Sequence, residues 1–388
     1  MKILLSGGGT GGHITPILAL AHELKQLQPA CKTVYVGERH GKFSQLTADS
    51  AVIDEQFAVF AGKFRRYHGE AWPRRLLDVK TNLKNARDAL FVAIGFLQSM
   101  RLLGRVKPDL VFLKGGYAGV PIGLAAAVRR IPIVTHDSDA LPGLANRLIS
   151  RWARIHATAL PAEYYPYLAE KVRPVGVLVE PSYRPVDSRL QREYKEQLNL
   201  PSAQPLLLIT GGSSGAQRIN KEFVSIVAEL LQKKPQLQVI HQVGQGKAGI
   251  YGEYSHERLR VLEFMTPMHV YTGAADLIVT RAGANALAEF GVQGKACLVV
   301  PNPDLTGGHQ TKNAEYLKEQ GTAVVLEEGE LYDLQHGLLA SIETLLADEA
   351  KRRELGAKLQ RATIPDAAQK LAVILLEQAN KKAVSSKQ

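Results

Sequence analysis

A histidine close to the start of the chain follows a loop that consists almost entirely of glycine. The stretch KILLSGGGTGGHITPILALAHEL begins at Lys2 and places His13 directly after five glycines and Thr10. The intrinsic pKa of an imidazole suits proton transfer near neutral pH, so His13 could be a general base. It could equally cap the following helix or contact a phosphate without transferring a proton.

The loop itself has the composition of a binding site for a phosphate or a sugar. Glycines allow a ligand to approach the backbone, and the helix predicted to begin near Pro16 offers unpaired N–H groups at its start. No Gly-Lys-Ser/Thr follows these glycines, and no acidic residue ends an obvious second strand. The loop is therefore not a Walker loop and is a poor dinucleotide fingerprint. A tight turn between a strand and a helix is the alternative interpretation.

A second loop of the same kind lies in PLLLITGGSSGAQRINKEFVSIVAEL, which begins at Pro205. The backbone N–H groups of Gly212–Gly215 and the hydroxyls of Ser213 and Ser214 could hold a diphosphate. No Asp-x-Asp motif lies in a suitable position, so we predict no metal site and no cofactor. The stretches PDLVFLKGGYAGVPIGLAA and ADLIVTRAGANALAEFG repeat the order of strand, glycine turn and helix. Four such turns favour ligand-binding edges over incidental turns.

These turns need parallel strands whose carboxyl ends meet at one edge of a sheet. Short apolar runs alternate with longer helical patterns, which predicts an α/β protein with parallel sheets. The two halves resemble each other, so we predict two doubly wound, Rossmann-like domains that face each other across a cleft. The predicted strands are Ile3–Leu5, Thr33–Val36, Leu110–Leu113, Ile133–Thr135, Leu206–Thr210, Gln238–Gln242, Leu277–Thr280 and Cys297–Val300.

The cysteines and the apolar runs of the sequence argue against a metal-binding, secreted or membrane-spanning protein. Cys31 and Cys297 are far apart and fit no metal spacing, which predicts two buried residues in a reducing compartment. Ile3–Leu5 is too short an apolar run for a signal peptide. The longest apolar run, Leu90–Leu103, contains polar residues and is shorter than the roughly 20 residues that a membrane span requires.

Positive charge is concentrated in the first half of the chain. The formal net charge is +11, and residues 61–107 contain eleven Lys or Arg residues against three acidic residues. A solvated face is the ordinary interpretation of such a run. However, Phe64, Tyr67 and Trp72 lie among these charges, and basic residues beside apolar ones suit an anionic membrane surface. We therefore predict contact with an anionic membrane surface through residues 63–107, and no nucleic-acid partner, because no recognition motif is present.

Five motifs occur in the order in which a known enzyme family contains them. They are Gly8-Gly9-Thr10-Gly11-Gly12-His13, Gly115-Gly116-Tyr117 with Pro121, Gly211-Gly212-Ser213 with Gly215-Ala216, Arg281-Ala282-Gly283-Ala284 with Glu289, and His309-Gln310 with Asn313. From Met1 to about Leu326, the chain resembles the MurG family within glycosyltransferase family 28. That family transfers N-acetylglucosamine (GlcNAc) from UDP-GlcNAc to lipid I and so makes lipid II for peptidoglycan.

The resemblance implies a GT-B fold and an inverting reaction at the cytoplasmic face of the bacterial inner membrane. Residues 1–178 would bind the acceptor and the membrane, and residues 205–363 would bind the UDP-sugar. Residues 175–202 contain prolines and no long apolar run, so the linker is predicted at 179–204. Residues 364–388 would form a C-terminal helix and tail that pack back toward the first domain.

The resemblance also implies roles for individual residues. Glu289 would accept hydrogen bonds from the ribose hydroxyls, the backbone of Met265 would read the uracil edge, and Gln310 would contact hydroxyls of the transferred sugar. An ordinary helix carboxylate, a core methionine and a helix cap are the alternatives. The other predicted substrate-binding residues are Thr10, Gly11, Gly12, Tyr117, Asn146, Ser213, Ser214, Arg281, Ala284, His309 and Asn313.

The chain departs from the family pattern at several positions. Asp139 replaces the usual Asn, and as a carboxylate it could accept a hydroxyl hydrogen bond or serve as the base beside His13. Glu180 replaces a usual Arg, Gly119 a usual Ser and Ala286 a usual Thr. These changes leave three alternatives: a UDP-sugar transferase for another lipid acceptor, a UDP-sugar epimerase of the same fold, or a non-catalytic nucleotide-sugar-binding protein.

Overall fold

The structure is a computed structural model of the chain, and it divides into two compact units. It describes residues 1–8, 11–39, 47, 50–63, 78–212, 215–305, 307–333 and 335–385, with 11–13, 79–80 and 382–385 described by their backbone alone. The first unit comprises Met1–Glu180 and Asp366–Gln388, and the second comprises Pro181–Pro365.

The first unit is built on a seven-stranded parallel sheet with the strand order β3-β2-β1-β4-β5-β6-β7. The central strands are apolar on both faces and buried along almost their whole length, as is usual for a parallel sheet that helices cover on both sides. The strands are β1 Lys2–Ser6, β2 Lys32–Glu38, β3 Glu55–Val59, β4 Leu110–Leu113, β5 Ile133–Asp137, β6 Ile155–Thr158 and β7 Val172–Pro174.

Helices connect these strands and cover the sheet. They are α1 Gly11–Leu27, α2 Val79–Val106, α3 Gly119–Val128 and the short α4 Leu144–Ile149. Leu103 of α2 and Ile122 of α3 join Leu4 and Val111 of the sheet in one buried cluster. Helices α2 and α3 therefore bury one face of the sheet.

Helix α2 is longer than the apolar run Leu90–Leu103 that it contains. Asp78 caps its start by accepting a hydrogen bond from the Thr81 N–H at 3.0 Å, and Lys107 ends it in the left-handed conformation with φ 50°. The segment Thr81–Val106 has 26 residues and is long and apolar enough to cross a membrane by length and composition, with 22% of its most apolar window buried. The prediction that no apolar run reaches this length was therefore wrong, although buried core helices pass the same test.

The second unit is built on a six-stranded parallel sheet with the strand order β10-β9-β8-β11-β12-β13. Alternate residues of β8 enter opposite core clusters: Leu207 and Ile209 on one face, Leu206 and Leu208 on the other. The strands are β8 Leu206–Thr210, β9 Gln238–Gln242, β10 Leu259–Leu262, β11 Leu277–Thr280, β12 Cys297–Val299 and β13 Val324–Val325. The helices are α5 Ser188–Gln197, α6 Gln217–Lys233, α7 Met268–Ala274, α8 Ala284–Val292, α9 His309–Glu319, α10 Leu338–Ala347 and α11 Glu349–Ala362.

Both sheets share one topology, and this topology positions the glycine turns. In each sheet the first strand lies at the centre and the strand order reverses there, between β1 and β4 in the first unit and between β8 and β11 in the second. Ligands of doubly wound sheets bind outside the carboxyl ends of the strands at this reversal. The four glycine turns of the sequence follow these four strands, which confirms the predicted α/β class with two Rossmann-like domains.

All eight predicted strands are present, but five further strands were not predicted. Four of the five are the outer strands β3, β7, β10 and β13, and the other is β6. The outer strands are short or half-exposed, so their sequences lack a continuous apolar run. Strand β6 is fully buried, but it contains the polar residues His156 and Thr158. The hydrophobic pattern therefore did not predict it.

Two segments near the boundary between the units have structure of their own. Helix α5 lies within residues 179–204, packs along α7 and belongs to the second unit. Its side chains Gln191 and Lys195 both bind Asp276, which precedes β11. The final helix, α12 Ala367–Ser385, belongs to the first unit and packs along α1.

Candidate functional site

The glycine turns of the first unit pack directly on each other. Gly116 follows β4 with φ 79°, and a Cβ atom at this position would lie 2.3 Å from the Gly8 carbonyl oxygen. A Cβ atom on Gly7 would lie 3.1 Å from the Lys114 Cβ and 2.8 Å from the Ile17 Cδ1. These glycines are therefore required for the close approach of two turns, whatever ligand the edge binds.

Part of the predicted acceptor site lies outside the described residues. Thr10 is not described, and Gly11, Gly12 and His13 are described only as the backbone that begins α1. That placement puts His13 in the first turn of a helix at the carboxyl edge of the sheet. Its role as base or as phosphate contact stays a prediction.

A buried lysine that was not predicted from the sequence lies beneath the same edge. Lys114 follows β4 and is 3% exposed, and its Nζ donates a hydrogen bond to Ser138 Oγ at 2.7 Å. Burial lowers the pKa of Lys114 to about 8, while Asp139 and Asp137 oppose this change. The signal was a lysine placed directly between an apolar strand and two glycines in FLKGG.

Asp137 organises the loop that follows β5. Its buried carboxylate accepts hydrogen bonds from Asn146 Nδ2 at 2.9 Å, Tyr167 Oη at 2.8 Å and the Gly143 N–H at 3.2 Å. Burial raises the pKa of Asp137, and these three donors and Lys114 counteract the rise. The loop 138–143, which contains the predicted catalytic residue Asp139, is thus tied to the sheet by one carboxylate.

The Asn146 side chain is buried and forms hydrogen bonds at the two ends of this region. It is 1% exposed, and its Nδ2 donates to the His136 carbonyl at 2.9 Å as well as to Asp137. Both amide hydrogens therefore have protein partners. Its predicted contact with substrate stays a prediction, and the structure gives it a clear positioning role.

Tyr117 is half-buried just before α3 and donates its hydroxyl to the carboxylate of Glu38, which ends β2. Burial, together with this hydrogen bond and the charges of Glu38 and Asp88, raises the pKa of Tyr117. The phenol therefore stays protonated and can donate at physiological pH. The structure places it at the same carboxyl edge as the glycine turns.

In the second unit, the described glycines of the loop after β8 differ in the space around them. A Cβ atom on Gly215 would lie 2.0 Å from the Val243 carbonyl oxygen, so this glycine is packed tightly. Gly212 has φ 75°, and no described atom lies within 4 Å of a Cβ atom built there. Ser213 and Ser214, the predicted diphosphate ligands, lie outside the described residues. Space is therefore present beside the backbone at Gly212.

The turn after β11 is held by a buried ion pair. Arg281 Nη2 binds Glu328 Oε1 at 2.5 Å, and Arg281 Nη1 donates to the carbonyls of Val300 and Pro301 at 3.3 Å each. Glu328 also pairs with Arg218 at the start of α6, and Arg218 Nη2 reaches the exposed Asp304 at 2.9 Å. Arg281 thus ties the ends of β11 and β12 together, and its predicted substrate contact stays a prediction.

Several predicted donor-site residues surround this turn. Asn313 Nδ2 donates to the Ala282 carbonyl at 2.9 Å, and Gln310 Oε1 accepts from the Asn302 N–H at 2.9 Å. Glu289 is half-buried on α8, about one and a half turns after Ala284, where that helix begins. The fold therefore brings these four residues to one edge of the second unit.

Met265 and His309 occupy different surroundings at this end of the sheet. The Met265 side chain is 3% exposed and belongs to the core, so only its backbone could face a ligand, as predicted. His309 is half-buried at the first position of α9. Beside it, Gly308 has φ 67°, and no described atom lies within 4 Å of a Cβ atom placed on Gly308 or on Gly283.

The second edge therefore combines open space with exposed backbone. Gly212 follows β8, Gly283 follows β11 and Gly308 precedes α9, and all three are open on their Cβ side. Backbone N–H groups at such positions bind anions, and the absence of side chains admits a sugar or phosphate. Among the described residues, no group of three His, Cys, Asp or Glu side chains is arranged to hold a metal ion.

Comparison with known proteins identifies the two units. The model of the glycosyltransferase family 28 N-terminal domain matches residues 3–158, and the model of the C-terminal domain of that family matches residues 206–371. Among solved structures, Acinetobacter baumannii MurG has 25% identity and a TM-score of 0.71, and the match covers 97% of this chain and 99% of that one. The calicheamicin glycosyltransferase CalG4, at 18% identity and a TM-score of 0.67, shares the fold across 98% of both chains.

Curated relatives agree with these matches across nearly the whole chain. A protein of Natranaerobius thermophilus is 32% identical over 97% of this chain and 99% of its own length, and one of Anaeromyxobacter sp. strain K is 34% identical over 97% and 93%. Both are named UDP-N-acetylglucosamine–N-acetylmuramyl-(pentapeptide) pyrophosphoryl-undecaprenol N-acetylglucosamine transferase. The predicted resemblance and the GT-B fold are thereby confirmed, and the chain belongs to glycosyltransferase family 28.

Proposed function

We propose that this enzyme transfers GlcNAc from UDP-GlcNAc to lipid I, with inversion at the sugar carbon, and so makes lipid II for peptidoglycan. The observation that carries the proposal is the match, at 32% identity over 97% of this chain, to a relative named for that transfer. The open, glycine-lined edge of the second unit supports it, because a nucleotide diphosphate and a sugar need close access to backbone N–H groups.

The second unit would bind the donor. The diphosphate would accept hydrogen bonds from backbone N–H groups of the loop 211–216 at the start of α6, where the helix dipole also favours negative charge. Glu289 would accept from the ribose hydroxyls, the Met265 backbone would contact uracil, and Gln310 would contact the sugar. These N–H donors would stabilise the charge that develops on UDP as it leaves.

The first unit would bind the acceptor and supply the base. The acceptor hydroxyl attacks the anomeric carbon, the bond from that carbon to the diphosphate oxygen breaks, and the base removes the hydroxyl proton. His13 at the start of α1 and Asp139 in the loop after β5 are the two candidates. Lys114 and Asp137 lie behind Asp139 and would position it.

The central experiment is incubation of the protein with UDP-GlcNAc labelled in the sugar and a lipid I analogue. Label in the lipid product supports the proposal, and label that appears only with a different lipid acceptor identifies the first alternative. Isomerised UDP-sugar would indicate an epimerase, and binding without turnover would indicate a non-catalytic protein. His13→Ala and Asp139→Asn are then compared, because loss of turnover with unchanged UDP affinity identifies the base.

Glu289 offers a direct test of the donor site. Glu289→Ala should weaken UDP binding by about 1–3 kcal/mol, the usual cost of removing a partner for buried hydrogen bonds. Glu319→Ala on the exposed end of α9 is the matched control and should leave calorimetric affinity unchanged. Equal affinity of Glu289→Ala and wild type for UDP would remove Glu289 from the site.

We further propose that the first unit rests on the anionic cytoplasmic face of the inner membrane. Leu83, Leu90 and Leu97 recur every seven residues on α2 and are 71%, 58% and 60% exposed. Beside them lies an apolar groove of about 440 Å³ whose lining residues are Ala89, Val92, Ala93, Phe96, Leu124, Ala127, Val128 and Trp152. Exposed leucines beside an apolar groove are typical of a surface that binds a membrane or another protein.

Basic residues flank this patch. Arg151 stacks over the Trp152 ring, with Cζ 3.9 Å from the ring centroid, and Arg101 and Arg105 follow on α2. This arrangement suits anionic lipid, because arginines attract the headgroups while the leucines enter the interface. Arg65, Arg66, Arg74 and Arg75, which belong to the predicted membrane segment 63–107, lie outside the described residues.

Sedimentation with vesicles tests this surface in two ways. Leu90→Gln with Leu97→Gln should reduce binding to anionic vesicles by about tenfold or more, since two leucines would lose burial in the interface. Changing Arg65, Arg66, Arg74 and Arg75 to Glu should abolish binding to anionic vesicles and leave UDP affinity intact. Val373→Gln, an exposed apolar position on α12, is the control. Sedimentation equal to wild type in both variants would exclude this face.

A further inference from the structure

Two tyrosines in the segment 159–168, which follows β6, contact the loop that follows β5. The Tyr167 hydroxyl donates to Asp137 Oδ2 at 2.8 Å, and Asp137 is the last residue of β5. The Tyr165 hydroxyl donates to the backbone carbonyl of Asp139 at 3.0 Å. The two hydroxyls therefore hold the chain at the end of the strand and again two residues later.

Stacked rings fix where these hydroxyls lie. The Tyr167 ring stacks face to face on the ring of His156 in β6, with centroids 3.8 Å apart and an angle of 11° between the planes. The Tyr165 and Tyr167 rings are parallel to within 2°, with centroids 6.0 Å apart, which is an offset stack. A hydrogen bond of 2.7 Å joins His156 Nδ1 to Thr135 Oγ1 in β5. The row of three rings is thus fixed to the sheet at one end.

The direction of the Tyr165 hydroxyl is determined by a second contact. Its oxygen accepts a hydrogen bond from the Leu160 N–H at 3.3 Å, so its own hydrogen is directed at the Asp139 carbonyl. Tyr165 is buried and Tyr167 is half-buried, and burial raises the pKa of both phenols above the ordinary value. Both hydroxyls therefore stay protonated and act as donors at physiological pH.

The loop 138–143 is held from its other sides as well. Lys114 Nζ donates to Ser138 Oγ at 2.7 Å, and the Gly143 N–H donates to Asp137 Oδ1 at 3.2 Å. The half-buried Asp139 exerts the largest opposing charge on Lys114, which places its carboxylate at the carboxyl edge of the sheet. An aspartate side chain is short and takes few staggered conformations, so its carboxylate follows the backbone closely. A fixed carbonyl at Asp139 therefore means a fixed carboxylate.

We propose that Tyr165 and Tyr167 are positioning residues for the transfer reaction, which hold the backbone of residues 137–139 so that the Asp139 carboxylate reaches the acceptor hydroxyl. The inference rests on the proposed function, in which Asp139 is a candidate base, and it requires neither tyrosine to contact a substrate. A base must lie about 2.6–3.2 Å from the group whose proton it removes. A misplacement of about 1 Å costs about 100-fold in rate.

The first test is steady-state kinetics with UDP-GlcNAc and a lipid I analogue. Wild type is compared with Tyr165→Phe, Tyr167→Phe and the double variant, because phenylalanine keeps the stacked ring and removes only the hydroxyl. We expect kcat to fall about tenfold in each single variant and further in the double variant, with KM for UDP-GlcNAc within about twofold of wild type. Wild-type kcat in both single variants would overturn the inference.

A double-mutant cycle tests whether the tyrosines act through Asp139. Asp139→Asn should lower kcat by about 100-fold or more, the usual contribution of a general base. Adding Tyr165→Phe to Asp139→Asn should then change kcat by less than about twofold, because no base is left to position. If the two losses multiply instead, Tyr165 does not act through Asp139 and the positioning role is wrong.

Thr33→Val is the matched control for a purely structural loss in the same unit. Thr33 is 0% exposed, and its hydroxyl donates to the Val52 carbonyl at 2.6 Å. It lies at the amino end of β2, and because all strands of this sheet are parallel, that end is opposite the loop after β5. The control should lose stability by a similar amount and keep kcat. An equal loss of kcat in Thr33→Val would show that the tyrosine variants report general destabilisation.

Wild type and Asp139→Asn separate failure of this inference from failure of the proposed function. If wild type transfers no sugar to the lipid I analogue, the proposed function itself is wrong. If wild type is active and Asp139→Asn is equally active, the transferase stands and the inference is overturned, because Asp139 needs no positioning. If only Asp139→Asn loses activity, Asp139 stands and the role of the tyrosines is overturned.

Discussion

The two units have the same sheet topology, yet the carboxyl edges of their sheets are filled differently. In the first unit, Gly116 packs against the Gly8 carbonyl, and Lys114 lies buried beneath them. In the second unit, Gly212 and Gly283 border open space. Glycine after an apolar strand therefore serves chain packing at the first edge, whereas at the second edge Gly215 serves packing and Gly212 and Gly283 leave access for a ligand.

The buried charges of the two edges differ as well. In the first unit, the Lys114 ammonium binds the hydroxyl of Ser138, and Asp137 and Asp139 balance its charge. In the second unit, Arg281 pairs directly with Glu328, which also pairs with Arg218. At the first edge, the buried charge of Lys114 has no direct carboxylate hydrogen bond. At the second edge, two arginines pair with the buried carboxylate of Glu328.

The largest expected contrast concerns the glycines. Gly116→Ala should destabilise the first unit by about 4 kcal/mol or more, because the residue has φ 79° and its Cβ would clash with backbone. Gly283→Ala should leave stability unchanged, since Gly283 has φ −80° and free space, but weaken UDP binding about tenfold by obstructing the ligand.

Tryptophan fluorescence makes this contrast measurable in the intact chain. Trp72 and Trp152, the two tryptophans of the protein, both lie within Met1–Glu180. Urea unfolding followed by their emission therefore reports the first unit, while calorimetry with UDP reports the second. A Gly116→Ala protein as stable as wild type would show that the two turns can separate at little cost.

The next largest effect concerns the buried lysine. Lys114→Met should destabilise the first unit by about 3 kcal/mol, because the carboxylates of Asp137 and Asp139 lose their cation. Adding Asp139→Asn to Lys114→Met removes one of these carboxylates and should restore part of the loss. Additive losses in the double variant, measured by urea unfolding, would show that Lys114 and Asp139 are independent.

Arg218→Met supplies the comparison in the second unit. Glu328 would keep Arg281 as its partner, so the loss of stability should be much smaller than for Lys114→Met. Hydrogen exchange measured separately over each unit distinguishes the two cases. An equal loss of stability in Arg218→Met and Lys114→Met would show that pairing with Arg281 alone does not stabilise the buried charge of Glu328.

The smallest contrast concerns two buried histidines. His136 in the first unit donates from Nε2 to the Gly176 carbonyl at 2.9 Å, and its Nδ1 has no hydrogen-bond partner among the described atoms. His241 in the second unit uses both ring nitrogens. Gln can reproduce the Nε2 donor alone, so at pH 7.5 His241→Gln should cost about 2 kcal/mol and His136→Gln less than about 1 kcal/mol.

Acid should destabilise the native state through these two buried histidines, so the cost of each Gln substitution should shrink as pH falls. Burial lowers the pKa of His241 to about 3 and that of His136 well below 6.5, so the native state binds fewer protons than the unfolded state below pH 6.5. Stability is therefore fully present above pH 6.5 and is lost as pH falls toward these values. Each Gln variant should lose stability less steeply between pH 6.5 and 4.5. An unchanged slope in urea unfolding would show that the histidine is already charged in the native state.

The central strands of each sheet could be predicted from the sequence, whereas the strands at its edges could not. Strands such as β1 and β8 are buried on both faces, so their composition alone identifies them, whereas β3 and β10 lie at edges where half of each strand faces solvent. The glycine turns were visible because positions such as Gly116 and Gly212 have a positive φ, which favours glycine.

The side chains that support the two sites could not be predicted from the sequence in this way. Lys114, Arg218 and the pair of Tyr165 and Tyr167 matter through partners that are distant in the sequence. No local pattern indicates such partners, because the fold alone brings them together. Asn146 was found by resemblance, but its burial and its two amide hydrogen bonds were not.

The route of the chain through the two units has a consequence for biosynthesis. The first unit needs both Met1–Glu180 and Asp366–Gln388, because α12 of the second stretch packs along α1 of the first. At about 5–20 residues per second, a ribosome takes roughly ten to forty seconds to make the segment between them. Until Asp366–Gln388 has been made, the nascent first unit has an uncovered apolar flank on α1, whereas the contiguous second unit has every residue that it needs once Pro365 has been made. The half of the enzyme that is translated later can thus finish folding earlier, and the unfinished half is the one that a chaperone would be expected to hold.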